Sequence, residues 1–138
     1  MQPLSEMMLR DVYGRALIEI AAHDPRVVVV EADLAKSNGT SAFAEAYPER
    51  FFNMGVAEAN MVGVAAGLAS VGFVPFCSSF TPFASRRVYD QAAISVAYAD
   101  LSVRIVGTDP GVTAEANGGT HMSFEDLARE VIEKGVKN

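Results

Sequence analysis

The sequence is poor in cysteine and in clustered positive charge, and each shortage excludes a class of protein. Cys77 is its only cysteine, which excludes an intramolecular disulfide and a metal site built on several cysteines. The net charge is −6, and no cluster of lysine or arginine is present to neutralise phosphates. We therefore predict that nucleic acid is not a partner.

Long apolar runs are lacking as well. No stretch reaches the roughly 20 residues that a bilayer-spanning helix needs. Residues 1–6 contain no basic segment followed by an apolar run, so we predict neither a secretory signal nor a membrane partner. Half of the 138 residues are hydrophobic and a fifth are charged, as in one domain with a sizeable core. The sequence predicts a single domain over residues 1–138, located in the cytoplasm.

Helical and strand-like segments alternate along the chain. The β-branched run at residues 27–30 is typical of a strand buried on both faces, as in parallel sheets covered by helices. The pattern predicts further strands at residues 51–53, 73–77 and 102–106, and helices at residues 5–22, 41–46, 61–71, 82–99 and 124–134. The predicted fold class is α/β, a parallel sheet flanked by helices, with ligands beyond the carboxyl ends of the strands.

An acidic side chain stands where a polar strand end turns into a helix of small apolar residues. This residue is Glu58, in the segment GVAEAN. An acid in the first turn of a helix complements the helix dipole, which is one explanation of its position. Phe80 and Phe83 follow in the next strand-to-helix connection, where they are either core residues or the walls of a flat apolar cleft. An acid beside such a cleft suits a heteroaromatic cofactor ring.

Two more polar residues fall in connections at the same rim of the predicted sheet. Asp33 follows the strand at residues 27–30. His121 follows the glycine-rich loop at residues 107–120, which contains a glycine pair near its end. Each has an ordinary explanation, as a turn residue and as a packing residue. Their coincidence with Glu58 at one rim favours a binding site there, and loops of that length are usually functional.

The chain resembles the pyrimidine-binding domain of transketolases, especially the separate C-terminal subunits of split transketolases. Four segments carry the resemblance: GVAEANMVGVAAGLASVG at residues 55–72, VPFCSSFTPFASRRVYDQ at 74–91, DLAKS at 33–37 and NGGTH at 117–121. The resemblance covers most of the chain. It implies a thiamine diphosphate-dependent transferase that moves a two-carbon ketol unit from one sugar to another.

The resemblance also implies a role for each matched residue. Glu58 bonds the N1′ atom of the aminopyrimidine ring and favours the imino tautomer, which generates the reactive ylid, while the cofactor carries the carbanion chemistry. Phe80 and Phe83 pack on the pyrimidine ring. Asp33 lies near the thiazolium and the subunit contact.

The substrate residues implied by the resemblance include two departures from the family pattern. Ser37 lies near the sugar phosphate, and His121 contacts substrate hydroxyls or the carbonyl oxygen. Asp109 stands where transketolases acting on sugar phosphates often have a phosphate-binding histidine, so we expect a non-phosphorylated or differently placed ketose. Asn117 replaces the aspartate of the family's DGxTH motif, which affects the hydroxyl contacts nearby.

The family's magnesium and diphosphate motif, glycine-aspartate-glycine with a downstream asparagine, is absent from the sequence. We therefore expect Mg²⁺ and the diphosphate to be held by a partner chain, in a heteromer built around a homodimeric core. The Glu58 helix carries a stripe of small residues that suits either a subunit interface or internal packing: Ala59, Gly63, Ala66, Gly67 and Ser70. Because the family continues into another strand and a separate C-terminal domain, we expect a fragment or a reduced subunit, active only with its partner.

Two other functions stay open at this point. Deoxyxylulose-phosphate synthases and the β chains of 2-oxo acid dehydrogenases share the glutamate, although the segment at residues 80–91 favours a transketolase. A non-catalytic regulatory or binding subunit would keep the fold without turnover. Asp109 supports that last possibility, whereas the presence of Glu58 with two phenylalanines argues against it.

Overall fold

The computed structural model describes residues 7–124, and a parallel sheet forms their centre. Four strands are present within this range, β1 (Val27–Glu31), β2 (Phe51–Asn53), β3 (Val74–Phe80) and β4 (Arg104–Thr108). Their order across the sheet is β2-β1-β3-β4, and all neighbours are parallel. The carboxyl ends of all four strands consequently lie at one rim. The predicted α/β fold class is confirmed.

Helices form the connections between these strands. Helix α1 (Leu9–His23) precedes β1, and α2 (Ala35–Asn38) and α3 (Ser41–Ala46) lie between β1 and β2. Helix α4 (Glu58–Ser70) leads to β3. Helix α5 (Thr81–Ser85) and a π-helical segment (Gln91–Tyr98) lead to β4. Across residues 7–124, no helix combines the length and the apolar character that crossing a bilayer requires.

The β-branched run in β1 divides its side chains between two hydrophobic clusters. Val27 and Val29 join a cluster with Leu17 of α1 and Phe43 of α3. Val30 joins a cluster on the other face, made largely by α4. All five residues of β1 are buried, which explains why its sequence is continuous rather than alternating.

Several elements differ from the sequence-based boundaries. Helix α1 covers Leu9–His23 rather than residues 5–22, and α4 covers Glu58–Ser70 rather than residues 61–71. Strand β3 runs on to Phe80, and β4 begins and ends two residues later than predicted. The single helix predicted over residues 82–99 is wrong, because α5 ends at Ser85 and the helix resumes only after a turn. The Ser85 hydroxyl donates to the carbonyl oxygen of Thr81 at 2.8 Å, a back-bond that bends helices.

Two predicted elements agree with the structure, and one lies outside the described residues. Helix α3 and strand β2 have the predicted bounds. Helix α4 begins at Glu58, and Gly72, with φ +96°, follows its end in a left-handed conformation suited to glycine. The helix predicted at residues 124–134 falls almost entirely outside the described residues.

Helix α1 packs closely against the loop that follows α2. Gly39 has φ +81°, and a Cβ atom there would collide with the carbonyl oxygen of Arg10. A Cβ atom on Gly14 would likewise collide with the carbonyl oxygen of Gly39. Only glycine permits this approach of two backbones, which holds the end of α2 beside the carboxyl end of β1.

Candidate functional site

Glu58 is the first residue of α4, and its side chain is only 4% exposed. One carboxylate oxygen, Oε1, accepts a hydrogen bond from Nη1 of Arg87 at 2.9 Å. The first turn of a helix favours an anion because its N–H groups lack partners within the helix. Helix dipole and ion pair together hold a buried carboxylate at the rim of the sheet.

Arg87 also contacts one of the phenylalanines, Phe83, which the sequence analysis did not anticipate. Its guanidinium carbon lies 4.0 Å from the centroid of the Phe83 ring, in cation–π geometry. Arg87 therefore links Phe83 to Glu58, two residues that the sequence placed in separate connections. The signal available beforehand was the four-residue spacing from Phe83 to Arg87, which aligns side chains when the chain is helical.

Three aromatic rings meet at the carboxyl end of β3. The centroid of the His121 ring lies 5.8 Å from that of Phe80 and 5.0 Å from that of Phe83, both edge-on, and the two phenylalanines are 6.2 Å apart. Both phenylalanines are more than 90% buried. The hydroxyl of Ser79, buried just before Phe80, has no hydrogen-bond partner among the described residues. A ligand or a water would satisfy it.

His121 reaches this group from the long loop after β4. Two hydrogen bonds between Gly111 and Ser123 close that loop, one from the Gly111 N–H to Ser123 Oγ at 3.0 Å and one from the Ser123 N–H to the Gly111 carbonyl at 2.9 Å. Nδ1 of His121 pairs with the Thr120 hydroxyl at 2.9 Å. Asn117, predicted nearby from the same motif, lies exposed at the end of a 3₁₀ turn.

Asp33 lies at the same rim but beside a different strand. Its backbone N–H donates to Asn53 Oδ1 at 3.0 Å, and the Asn53 amide donates to Asp33 Oδ1 at 3.2 Å. Asn53 Oδ1 also accepts from the Gly55 N–H at 3.0 Å. Asp33 has φ +64°, a conformation uncommon for a residue other than glycine. Asn53 thus connects Asp33 with the chain that enters α4.

Ser37 and Asp109 share a cleft between the N-terminal half of α1 and the end of β4. Its volume is about 600 Å³, and most of its wall is apolar, including Tyr13 and Val106. Arg10 is the cation among the described residues that line it. The structure thus brings these two predicted substrate residues together, apart from the aromatic group of Phe80, Phe83 and His121.

A second buried carboxyl, Glu31, lies at the end of β1 with no exposed surface. The Asn38 amide donates to both of its oxygens, at 3.2 and 3.1 Å, and the Thr40 hydroxyl donates at 2.6 Å. The Thr108 hydroxyl donates to Asn38 Oδ1 at 2.8 Å, which joins β4 to this network. Burial raises the pKa of Glu31, although the hydrogen bonds from Thr40 and Asn38 oppose it.

Two further buried groups border Glu31. Tyr13 and Ser78 share a hydrogen bond of 2.9 Å between their hydroxyl oxygens, and burial raises the pKa of Tyr13. Burial, and then the charge of Glu31, raises the pKa of Cys77 to about 12. A thiol with that pKa stays protonated near neutral pH and is therefore not a nucleophile.

The arrangement suits the aromatic ring of a cofactor better than it suits a metal ion. A buried carboxylate beside two phenylalanines, whose rings are tilted at 42° with centroids 6.2 Å apart, fits a flat nitrogen-containing ring. Within residues 7–124, no group of three or more His, Cys, Asp or Glu side chains converges to hold a metal ion. The residues of this site fit a pyrimidine ring.

A parallel α/β sheet with a buried glutamate at the start of α4, and phenylalanines at the end of β3 and in α5, agrees with the resemblance to the pyrimidine-binding domains of thiamine diphosphate enzymes. Comparison with known proteins identifies which of these domains it is. Residues 5–129 match the family described as "Transketolase, pyrimidine binding domain". The chain belongs to the transketolase family, which confirms the resemblance found in the sequence.

Three relatives illustrate the match. The chain is 56% identical over 125 residues to a 6-deoxy-6-sulfo-D-fructose transketolase subunit from Clostridium sp. (strain MSTE9), covering 91% of this chain and 39% of the relative. It is 39% identical over 119 residues to 1-deoxy-D-xylulose-5-phosphate synthase from Thermomicrobium roseum, covering 86% and 19%. A solved structure of a split gene transketolase, an inactive beta4 tetramer, matches with 48% identity and a TM-score of 0.74, covering 87% and 38%. The chain spans less than half of each relative.

Proposed function

We propose that the chain supplies the pyrimidine-binding half of a thiamine diphosphate site for two-carbon ketol transfer between sugars. One observation carries this proposal: the buried carboxylate of Glu58 and the ring of Phe83 meet at Arg87, at the rim where Phe80 and His121 also lie. Phe80 and Phe83 are each more than 90% buried. Membership of the transketolase family supports the same reaction.

Each of these side chains has a defined task in the proposed site. Bound thiamine diphosphate supplies the carbanion chemistry. The Glu58 carboxylate holds a proton at the ring nitrogen and so selects the tautomer. Phe80 and Phe83 pack on the ring, with about 0.5 to 1.5 kcal/mol per aromatic contact beyond the area buried. His121 is the hydrogen-bonding group for the oxygens of the sugar, and Asp33 lies towards the subunit contact.

The diphosphate and Mg²⁺ are proposed to bind to a partner chain. Magnesium takes oxygen ligands in near-octahedral geometry, and no three His, Cys, Asp or Glu side chains converge within residues 7–124. Two relatives support a divided enzyme, since one is described as a transketolase subunit and the other as a split gene transketolase that is inactive as a beta4 tetramer. Turnover by this chain without the partner is therefore expected to be negligible.

The exposed face of α4 is proposed as the contact between two copies of this chain. Gly63 and Gly67 are exposed, and a Cβ atom on either would meet nothing within 4 Å. Ala59 and Ser70 are exposed on the same stripe, whereas Ala66 is buried in the core. A face of small side chains lets another helix approach closely, which favours the interface over internal packing.

The proposed donor is a ketose whose terminal group carries less charge than a phosphate dianion. Asp109 and Arg10 both line the cleft that also contains Ser37, so their opposite charges leave no excess cation for a phosphate. The relative from Clostridium is described as acting on 6-deoxy-6-sulfo-D-fructose, and a sulfonate carries a single negative charge. A 6-deoxy-6-sulfo ketose is the first donor to test.

The experiment is a pull-down of the tagged chain from its native cell extract with thiamine diphosphate and Mg²⁺. Retained proteins are identified, and the eluate is assayed for ketol transfer from 6-deoxy-6-sulfofructose and from fructose 6-phosphate. Recovery of a diphosphate-binding chain together with ketol transfer supports the proposal, and the preferred donor tests the cleft. Recovery of no active partner, from an extract with transketolase activity, contradicts it.

A deoxyxylulose-phosphate synthase is the second candidate because one relative, 39% identical over 119 residues, carries that description. The same eluate separates the two reactions. Formation of 1-deoxy-D-xylulose 5-phosphate, without transfer between sugars, would favour the synthase.

A further inference from the structure

We propose that Arg87 is a placeholder for the aminopyrimidine ring: its guanidinium occupies the ring's position in the cofactor-free chain and is displaced when the cofactor binds. The inference rests on the proposed function. It adds a residue that competes with the cofactor for the site and so sets the affinity of the half-site.

The geometry gives Arg87 the same two contacts that the cofactor ring needs. Its Nη1 atom lies 2.9 Å from Glu58 Oε1, and its guanidinium carbon lies 4.0 Å from the centre of the Phe83 ring. The guanidinium is planar, carries N–H donors at its edge and stacks on aromatic faces, as a protonated aminopyrimidine does. A ring that bonded Glu58 and stacked on this face of Phe83 would overlap it.

Burial explains why Glu58 needs a positively charged partner. The Glu58 side chain is 4% exposed, and a buried carboxylate without a partner is strongly unfavourable. Arg87 neutralises it in the free chain. When the pyrimidine ring supplies its own hydrogen bond to Glu58, the arginine is no longer required there.

The exposure of Arg87 explains how its guanidinium can leave Glu58. The Arg87 side chain is 49% exposed, so its charged end can turn into water while its aliphatic part stays near the protein. Arg87 also lies in the turn between α5 and the π-helical segment, rather than inside a regular helix. Two positions of the guanidinium are therefore available, one on Glu58 and one in solvent.

The two positions predict the direction in which cofactor affinity changes. A site that is open only part of the time binds with an apparent Kd raised by the reciprocal of its open fraction. If Arg87 covers the site about nine-tenths of the time, its removal tightens binding about tenfold. A residue that instead held Glu58 in place for the cofactor would, on removal, weaken binding.

The test is calorimetric titration of thiamine diphosphate with Mg²⁺ into the complex of this chain and its diphosphate-binding partner. Arg87→Gln is expected to lower the Kd by about three- to tenfold, whereas Glu58→Gln raises it. Arg104→Gln removes the same charge from an exposed arginine that bonds Ser102, and is expected to leave the Kd unchanged. An unchanged or raised Kd for Arg87→Gln overturns the placeholder. A Kd unaffected by Glu58→Gln overturns the proposed function beneath it.

Urea unfolding of the chain without cofactor gives an independent readout. Arg87→Gln is expected to destabilise the chain that retains Glu58 and to have little effect in the Glu58→Gln background, because the ion pair is then already lost. Equal effects in both backgrounds would show that Arg87 is not the counter-ion of Glu58. If Arg87→Gln does not fold, Arg87→Lys is the second variant. It keeps the positive charge but lacks the planar guanidinium that stacks on Phe83. It is expected to lower the Kd by a smaller factor.

Discussion

The imidazole of His121 lies edge-on to the ring of Phe83, with 5.0 Å between the two centroids and 72° between the two planes. His121 makes a similar contact with Phe80 at 5.8 Å. The histidine is thus a wall of the aromatic group as well as a source of ring nitrogens. Its packing and its polar chemistry are separable by substitution.

His121→Phe is expected to keep the packing and lose the nitrogens. We predict a fold as stable as the wild type and a fall of about a hundredfold in kcat/KM for ketol transfer, comparable to the loss of one hydrogen bond to a developing charge. Steady-state assays of the reconstituted complex measure the fall, and thermal unfolding of the chain provides the control. Near-normal turnover by His121→Phe would show that the ring alone suffices.

Phe83→Leu separates ring stacking from burial. The matched control is Phe43→Leu, because Phe43 is also buried but packs against Tyr47 in the cluster on the α1 face. Each substitution is expected to lower the free energy of unfolding by about 1 to 3 kcal/mol. Only Phe83→Leu is expected to weaken thiamine diphosphate binding, by about two- to tenfold. Equal binding by the two variants would remove Phe83 from the site.

Glu31→Gln is expected to change how stability depends on pH. Burial raises the pKa of Glu31 in the folded chain, so the folded chain keeps a proton that the unfolded chain releases. The stability that this retained proton contributes is complete below the ordinary glutamate pKa of about 4.3. It is lost as the pH rises through the pKa of Glu31 in the folded chain. The Glu31→Gln variant should not show this fall in stability with rising pH.

Urea unfolding of the wild type and of Glu31→Gln, from about pH 4 to about pH 8, measures this difference. Glu45→Gln on the exposed side of α3 is the control and should follow the wild type. If Glu31→Gln loses stability over this range as steeply as the wild type, the buried carboxyl is not the titrating group.

Two substitutions at Gly63 are expected to have opposite effects. The position is exposed on α4, with open space where the methyl group of an alanine would lie, so Gly63→Ala should raise the free energy of unfolding by about 1 kcal/mol through helix propensity. Gly63→Leu should fold but fail to assemble, because its side chain would separate the two helices. Sedimentation at several concentrations measures the assembly. Normal assembly of Gly63→Leu would place the interface elsewhere.

Local patterns in the sequence were sufficient for most of the fold. The β-branched run of β1 predicted a strand buried on both faces, and the alternation of strands and helices predicted the parallel sheet. Glu58 was recognisable because it stands between a short strand and a helix of small residues. These features depend on residues close together in the sequence, where spacing and propensity are informative.

The contacts that escaped prediction join distant segments. Arg87 and Glu58 are 29 residues apart, and Thr108 reaches Asn38 across 70 residues. Nothing local marks Glu31 as a buried carboxyl, because its partners come from α2, the following loop and, through Asn38, from β4. The break after Ser85 coincides with a side-chain hydrogen bond of the kind that bends helices.

Replacement of Glu58 by glutamine, assayed for ketol transfer in the complex with its diphosphate-binding partner, tests the central claim most directly. The substitution keeps the size of the side chain and removes the proton-holding carboxylate. We predict a chain that folds and assembles but turns over at least a hundredfold more slowly, on the order of the loss of a general acid–base group. Turnover within a few-fold of the wild type would contradict the assignment of Glu58 to the cofactor ring.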